Sequence, residues 1–354
     1  MSHQLDDRSF VTRLDPKEML RLTEEFPKQC REALAIAQSA QLPELEARPS
    51  LAMLTGMGGS AAGGDFARAL FEAHGSVPFF VNRDYHLPNF VGLGDVVFCA
   101  SYSGNTEETL SAYDDAKKAG AKIICITSGG KLAEQAKADG HSVIIVPGGQ
   151  PPRTALGYML IPVLVAAERL NLIPAQDYGA AFDLAEKASQ EWKVESAFEK
   201  NQPKKIAEAM HHGLAVFYGL GTWQAIVANR WKGQMNENAK NLAFPNGFPE
   251  LNHNEILGWV KAGEQGVSKW IVVILESGDE SEKMKARAKV TEQLIGKTAE
   301  FFHVRALGDD LLQKLLTLTF FGDFVSIYLA ALNGIDPENI DSINTLKSEL
   351  SKVG

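Results

Sequence analysis

The sequence predicts an α/β protein built from two similar, doubly wound, parallel-sheet halves. Three observations predict it: short runs that are apolar throughout, helical stretches between them, and a second copy of the same order in the C-terminal half. An apolar run without alternation marks a strand covered on both faces, the condition of a parallel sheet. At 354 residues, 45% hydrophobic and 22% charged, the chain can form two domains of ordinary size.

In chain order, residues 17–42 mix charge with apolar spacing and predict one or two helices. Strands follow at 51–56 (LAMLTG), 78–81 (PFFV), 95–100 (DVVFCA), 122–127 (KIICIT) and 142–146 (SVIIV), with helices at 60–74, 106–119 and 130–139 between them. A helix at 154–171 and a polar one near 177–194 lead to a linker around 190–205, where NQPK breaks the pattern. The expected boundaries are an N-terminal helical segment over 1–50, a first domain over 51–195, and a second over 196–354 with C-terminal helices.

The second half repeats the first. GLAVFYGLGTWQAIVANRWKGQM (213–235) has the strand–turn–helix layout of SLAMLTGMGGSAAGGDFARAL (50–70). KWIVVILESGDESEK (269–283) lies over DVVFCASYSGNTEET, and AEFFHVRALGDDLLQKL (299–315) over AKIICITSGGKLAEQA.

Composition excludes several classes of function. The net charge is −9 with no block of Lys or Arg, which gives nucleic acid no surface. No run of 18 apolar residues argues for a membrane span, and the polar N-terminus MSHQLDDRSFVTRLDP has no secretory core. Cys30, Cys99 and Cys125 lie far apart, two of them in strand-like runs, as reduced core cysteines of a cytoplasmic protein do.

Function concentrates in two strand-to-helix turns, GMGGSAAGGD after the first strand and SYSGNTEET (101–109) after the third. Ligands of open parallel sheets sit beyond such turns, where helix N-termini present free N–H groups. Ser101, Ser103 and Thr106 could cradle a phosphate; equally, Ser103 or Asn105 could cap the next helix, with Glu107 or Glu108 in its first turn. The glycines of GMGGSAAGG fit neither G-x-G-x-x-G nor a P-loop, and no compact metal-ligand motif is present. In the duplicate, Leu275, Ser277 and Glu280 fall opposite Ser101, Ser103 and Thr106, with Asp279 opposite Asn105. The added carboxylates would repel a phosphate dianion, so a phosphate site is expected once per chain, in the first half.

Together these residues resemble the sugar isomerase (SIS) family of phosphosugar-binding domains, whose fold is flavodoxin-like. PPRTALGYML (151–160), NENAK (236–240), ELNHNEI (250–256) and DPENIDSINTLKSEL (336–350) are similar to the bifunctional phosphoglucose/phosphomannose isomerases. The resemblance implies a phosphate cradle of Ser60, Ser101, Ser103 and Thr106, with Gly58 and Gly59 lining the sugar. It implies Glu237 as the base that moves a proton between C1 and C2, and Arg153 as the cation beside the enediol(ate). It implies His253, reaching in from a second subunit of a homodimer, and Lys347 as the groups that open the sugar ring.

Aldose–ketose interconversion suits these residue types. A carboxylate can remove a proton α to a carbonyl and return it one carbon away, a guanidinium can stabilise the developing oxyanion, and histidine and lysine suit ring opening. This route requires no metal or other cofactor. Two features depart from better-known relatives. Tyr102 stands where large phosphoglucose isomerases usually have lysine, which leaves recognition to hydroxyls, N–H groups and helix dipoles. Ile340, expected two helical turns before Lys347 on the same face, stands where the resemblance suggests an amide in glucose-specific enzymes, so both C2 epimers are expected as substrates. The competing readings are a non-catalytic phosphosugar sensor and another SIS enzyme, such as a phosphoheptose isomerase.

Overall fold

Residues 3–350 and 352 are described in this computed structural model. Two short helices, α1 (Arg8–Thr12) and α2 (Met19–Glu24), lead in. Then come α3 (Phe26–Ser39), β1 (Ala52–Gly56), α4 (Gly58–His74), β2 (Phe79–Asn82), β3 (Val96–Ala100), α5 (Glu107–Ala119), β4 (Lys122–Thr127), α6 (Gly130–Ala138), β5 (Ser142–Ile145), α7 (Leu156–Arg169) and α8 (Tyr178–Ser189). The five strands pair in parallel in the order β2-β1-β3-β4-β5, with Gly56 opposite Ala100 and Cys99 opposite Cys125.

The apolar runs form strands because both sheet faces are covered. Met53, Val97, Cys99, Ile123 and Cys125 pack on one side with Tyr113 of α5 and Leu132 of α6, and every residue of β1 and β3 is buried. Each large side chain so buried contributes roughly 1.5–3 kcal/mol. The three cysteines are free and buried.

The second sheet follows α9 (Gln202–Met210): β6 (Leu214–Gly219), α10 (Thr222–Ala239), β7 (Ala243–Gly247), α11 (Glu255–Gly258), β8 (Trp270–Glu276), α12 (Glu282–Ile295), β9 (Ala299–Arg305), α13 (Leu311–Asn333) and α14 (Asp341–Leu350). Its parallel order is β7-β6-β8-β9, so β6, β8 and β9 take the places of β1, β3 and β4. The duplication is real but unequal: after β9 comes the 23-residue helix α13 and, among the described residues, no counterpart of β5. By length and composition α13 could cross a membrane, but its most apolar 18-residue window, of mean hydropathy 1.8, is 94% buried inside the protein. Lys314, Thr317, Gly322 and Asp323 interrupt the apolar run, which is why it does not stand out in the sequence.

The chain divides into two units. One holds Glu25–Glu186 and Gly308–Leu316; the other holds the described residues up to Glu24, Lys187–Leu307 and those from Thr317 on. Lys204 fixes the N-terminal segment within the latter. Its fully buried ammonium donates to Asp6 Oδ1, Val194 O and Ser196 O, each at 2.7 Å.

Candidate active site

The Ser101–Thr106 loop leaves the carboxyl end of β3. Ser101 Oγ and Thr106 Oγ1 are 2.9 Å apart, and Ser101 Oγ also accepts the Gly104 N–H at 3.1 Å. Ser60 Oγ accepts the Tyr102 N–H at 3.2 Å, tying the loop to the first turn of α4. Ser103 is exposed, and its Oγ accepts the Asn105 N–H at 3.3 Å. Gly104 has φ +70°, and a Cβ there would lie 1.8 Å from Gly129 O, so the close approach of the two loops requires glycine. Tyr102 is turned inward, its hydroxyl donating to Pro147 O at 2.9 Å, and burial pushes its phenol pKa up.

This geometry decides between the two readings of the loop as far as capping goes. Thr106 is the N-cap of α5 but makes no side-chain cap bond. Asn105 instead bridges loops, its Nδ2 donating to Ser103 O at 3.2 Å and its Oδ1 accepting the Lys131 N–H at 3.1 Å. Neither Ser103 nor Asn105 caps α5. The hydroxyls of Ser101 and Thr106 face each other at the mouth of the helix.

Helix α4 starts at Gly58, two residues before the expected 60, so Gly58, Gly59 and Ser60 form its first turn, in which the Ser60 N–H donates to Met57 O at 3.1 Å. A Cβ on Gly59 would stand 2.8 Å from Pro152 O. That bare position lets the 3-10 turn Pro152–Thr154 pack against α4, with the buried Arg153 in the turn. Gln29 of α3 grips the turn, its Nε2 donating to Thr154 O at 2.9 Å and its Oε1 accepting the Gly157 N–H at 2.7 Å. Ser60, Ser101, Thr106, Gly59 and Arg153 are thus brought together in one unit.

The duplicate loop corrects the sequence alignment by one residue. Gly56 pairs with Ala100 and Gly219 with Leu275, while Thr106 and Ser281 are the N-caps of α5 and α12. Ser101, Ser103, Asn105 and Thr106 therefore correspond to Glu276, Gly278, Glu280 and Ser281. Ser281 does cap its helix, accepting the Met284 N–H at 3.4 Å. The Glu280 carboxylate accepts the Ser277 N–H and, at 2.9 Å, the Gly278 N–H, filling the place where an anion would bind. On this corrected register Glu276 and Glu280 are the carboxylates that set the second half apart from the first.

The remaining site residues lie in the second unit. Glu237 is half-buried, third from the end of α10. His253 ends a 3-10 turn over Glu250–His253 and is exposed; Lys347 is exposed on α14. These two stand on separate elements. Ile340 precedes α14, which starts at Asp341, so it does not share a helical face with Lys347; it accepts the Asn344 N–H through its carbonyl at 3.0 Å. The proline at 337 and the Asn-Ile-Asp sequence before α14 place the helix start later than spacing alone suggests.

Sequence reasoning missed Gln29 and the bridging role of Asn105, because each acts across elements far apart in the chain. It also passed over strand β7, whose Pro245, Asn246 and Gly247 read as a turn but suit a sheet edge. Among the described residues, no cluster of three or more His, Cys, Asp or Glu side chains is arranged to hold a metal ion.

Comparison with known proteins agrees with this architecture. Residues 49–155 match the SIS domain and residues 199–350 the bacterial phospho-glucose isomerase C-terminal SIS domain. A crystallised hypothetical protein from Thermus thermophilus superposes with a TM-score of 0.75 over 99% of this chain and 93% of its own; at 17% identity that likeness is one of fold. A bifunctional phosphoglucose/phosphomannose isomerase of Aquifex aeolicus is 38% identical over 84% of this chain and 89% of its own length. Another, from Caldicellulosiruptor bescii, is 38% identical over 93% of this chain and 97% of its own. Matched across nearly the whole of such relatives, the chain belongs to the bifunctional phosphoglucose/phosphomannose isomerase family.

Proposed function

We propose that this protein interconverts fructose 6-phosphate with glucose 6-phosphate and mannose 6-phosphate by proton transfer through an enediol. The observation that carries the reading is likeness, over 97% of its length, to a relative named for both isomerisations. The uncapped hydroxyl pair of Ser101 and Thr106 supports a phosphate cradle, completed by Ser60, Ser103 and the first turn of α4. Gly58 and Gly59 line the sugar in this reading; a Cβ on Gly58 would meet nothing within 4 Å, which leaves room beside that turn, whereas the bare face of Gly59 is taken up by Pro152.

In this reading His253 and Lys347 open the ring, taking the proton of the O1 or O2 anomeric hydroxyl and giving one to the ring oxygen. Glu237 removes a proton from C1 of the ketose. Arg153 stabilises the negative oxygen of the enediol(ate), and Glu237 returns a proton to C2. Return to either face of C2 gives the two epimeric aldoses. Acceptance of both is supported by the relative named for both isomerisations, since Ile340 is not on the helical face of Lys347 as expected. The functional domains are then 51–195 for the phosphate and 196–354 for the acid–base groups, after the segment 1–50. The protein acts in the cytoplasm as a homodimer with His253 supplied in trans; three unbridged cysteines and the exposure of His253 support this.

The test is incubation with fructose 6-phosphate in deuterated water, without added metal, followed by NMR. Glucose 6-phosphate and mannose 6-phosphate should both appear, each deuterated at C2. Glucose 6-phosphate alone would discard the dual specificity, and no turnover would refute the isomerase assignment. Glu237→Gln should abolish turnover yet retain sugar-phosphate binding. A monomer fully active in sedimentation would reject the contribution of His253 in trans.

A further inference from the structure

We infer that Lys240 is a positioning residue for the isomerase reaction, clamping the end of the helix that carries Glu237 to the turn from which the helix of Lys347 departs. The inference rests on the isomerase reading above. Three main-chain carbonyls converge on the Lys240 ammonium: Glu237 O at 2.9 Å, Asp336 O at 2.8 Å and Pro337 O at 3.3 Å. Two belong to a segment 96 and 97 residues further along the chain.

The backbone of Lys240 shows that the side chain matters. The residue is the C-cap of α10 with φ +49° and ψ +36°, a left-handed position where glycine is the favoured occupant. Lysine here carries a backbone penalty that glycine would not, and the three-carbonyl clamp is what the side chain provides in return. A second tie acts on the same helix end, where Asn333 Nδ2 donates to Ala239 O at 2.9 Å.

At the other end of the clamp, the turn before α14 is braced from within. The Glu338 N–H donates to Asp336 Oδ1 at 2.8 Å and the Asp341 N–H to Asn339 Oδ1 at 3.1 Å. No residue of α14 is buried. A helix without a buried face takes its position from its tether rather than from packing, and here the tether is the turn that Lys240 holds. Lys347 lies in the second turn of α14, so movement of the tether moves Lys347, while fraying of α10 moves Glu237. Lys240 reaches both through main-chain carbonyls.

Three variants test this, with steady-state kinetics on fructose 6-phosphate and thermal unfolding. Lys240→Gly removes the ammonium and gives the left-handed backbone its preferred residue, so the fold should unfold at the parent temperature or above it. Its kcat should fall about ten-fold or more, since misplacement by about 1 Å can cost about 100-fold. KM should stay within about three-fold, because the phosphate loop is untouched. Lys240→Met should show the same split, and Lys240→Arg, which keeps the cation and its donors, should recover most of kcat. A parent that turns over alongside an unimpaired Lys240→Gly variant overturns the inference alone. So does a fall in kcat that only tracks loss of folded protein. A parent without turnover overturns the isomerase reading, and the inference with it.

Discussion

Gly104→Ala gives the sharpest test of the phosphate loop, because the structure supplies its own control. Gly104 and Gly140 have nearly the same left-handed backbone, φ +70° and +75°. A Cβ on Gly140 meets nothing within 4 Å, whereas one on Gly104 would lie 1.8 Å from Gly129 O. Both substitutions incur the backbone cost of roughly 1–2 kcal/mol. Only Gly104→Ala adds a clash with main chain, and relieving it to an ordinary separation of about 3.4 Å requires the loops to part by roughly 1.5 Å. The side that gives is the one carrying Ser101, Ser103 and Thr106, or else Gly129, which follows Ser128, the donor to Tyr102 O. Gly140→Ala should therefore lower the unfolding temperature by about 2–5 °C and leave kinetics alone. Gly104→Ala should destabilise by about 3–5 kcal/mol and raise KM for fructose 6-phosphate at least ~10-fold, as uniform binding to the phosphate is lost. Calorimetry and a coupled isomerase assay measure both. If the two variants share one KM and one unfolding temperature, the loop is not held as described and its role in phosphate binding is refuted.

Other expectations follow from the same reasoning. Lys204→Met should cost about 3 kcal/mol in urea unfolding, because Asp6 and two carbonyls lose a buried ammonium. Although its partial burial works the other way, Lys204 holds the Asp6 carboxyl below its usual range, so this contribution is present above about pH 4 and is lost as pH falls; the variant should show a shallower acid limb. Glu276 and Glu292, at 2.6 and 3.3 Å from the two ring nitrogens, raise the pKa of the His303 imidazole. Its contribution is full below about pH 6.5 and fades as pH rises through the raised value, so His303→Gln should flatten the pH dependence there by under about 1 kcal/mol at this partly exposed site. Titration with inorganic phosphate should count one site per chain, and Glu280→Ala should open a second, weaker one at low salt; an unchanged count would show that Glu280 is not what fills that loop.

The sheets were legible because their signal is local: DVVFCA and KIICIT are short, apolar throughout and bounded by turns, and β3 and β4 form where those runs lie. β7 was not legible, since Ala243–Gly247 carries edge-strand chemistry that also reads as a turn. The serine loop was visible as composition, but that neither Ser103 nor Asn105 caps α5 depends on contacts that spacing cannot supply. The one-residue error in aligning the halves has the same origin. Register comes from pairing Gly56 with Ala100 and Gly219 with Leu275, which are contacts between strands rather than patterns along one. Lys240, plainly visible in NENAK, gave no sign of reaching residues 336 and 337.

The unequal halves carry a physical logic of their own. Each has a strand ending at a helix mouth, a place that attracts an anion through free N–H groups. In the first half Thr106 withholds its hydroxyl from capping. In the second, Ser281 caps its helix and Glu280 binds the N–H groups of Ser277 and Gly278, so the same turn carries its own anion. A carboxylate covalently attached to the loop competes at very high effective concentration with any free dianion and adds charge repulsion. The duplication thereby leaves one turn open to the phosphate proposed above and one closed by its own carboxylate. The closed half keeps its strand-to-helix frame while α10 carries Glu237 and α14 carries Lys347, the two residues of this half proposed above for acid–base chemistry.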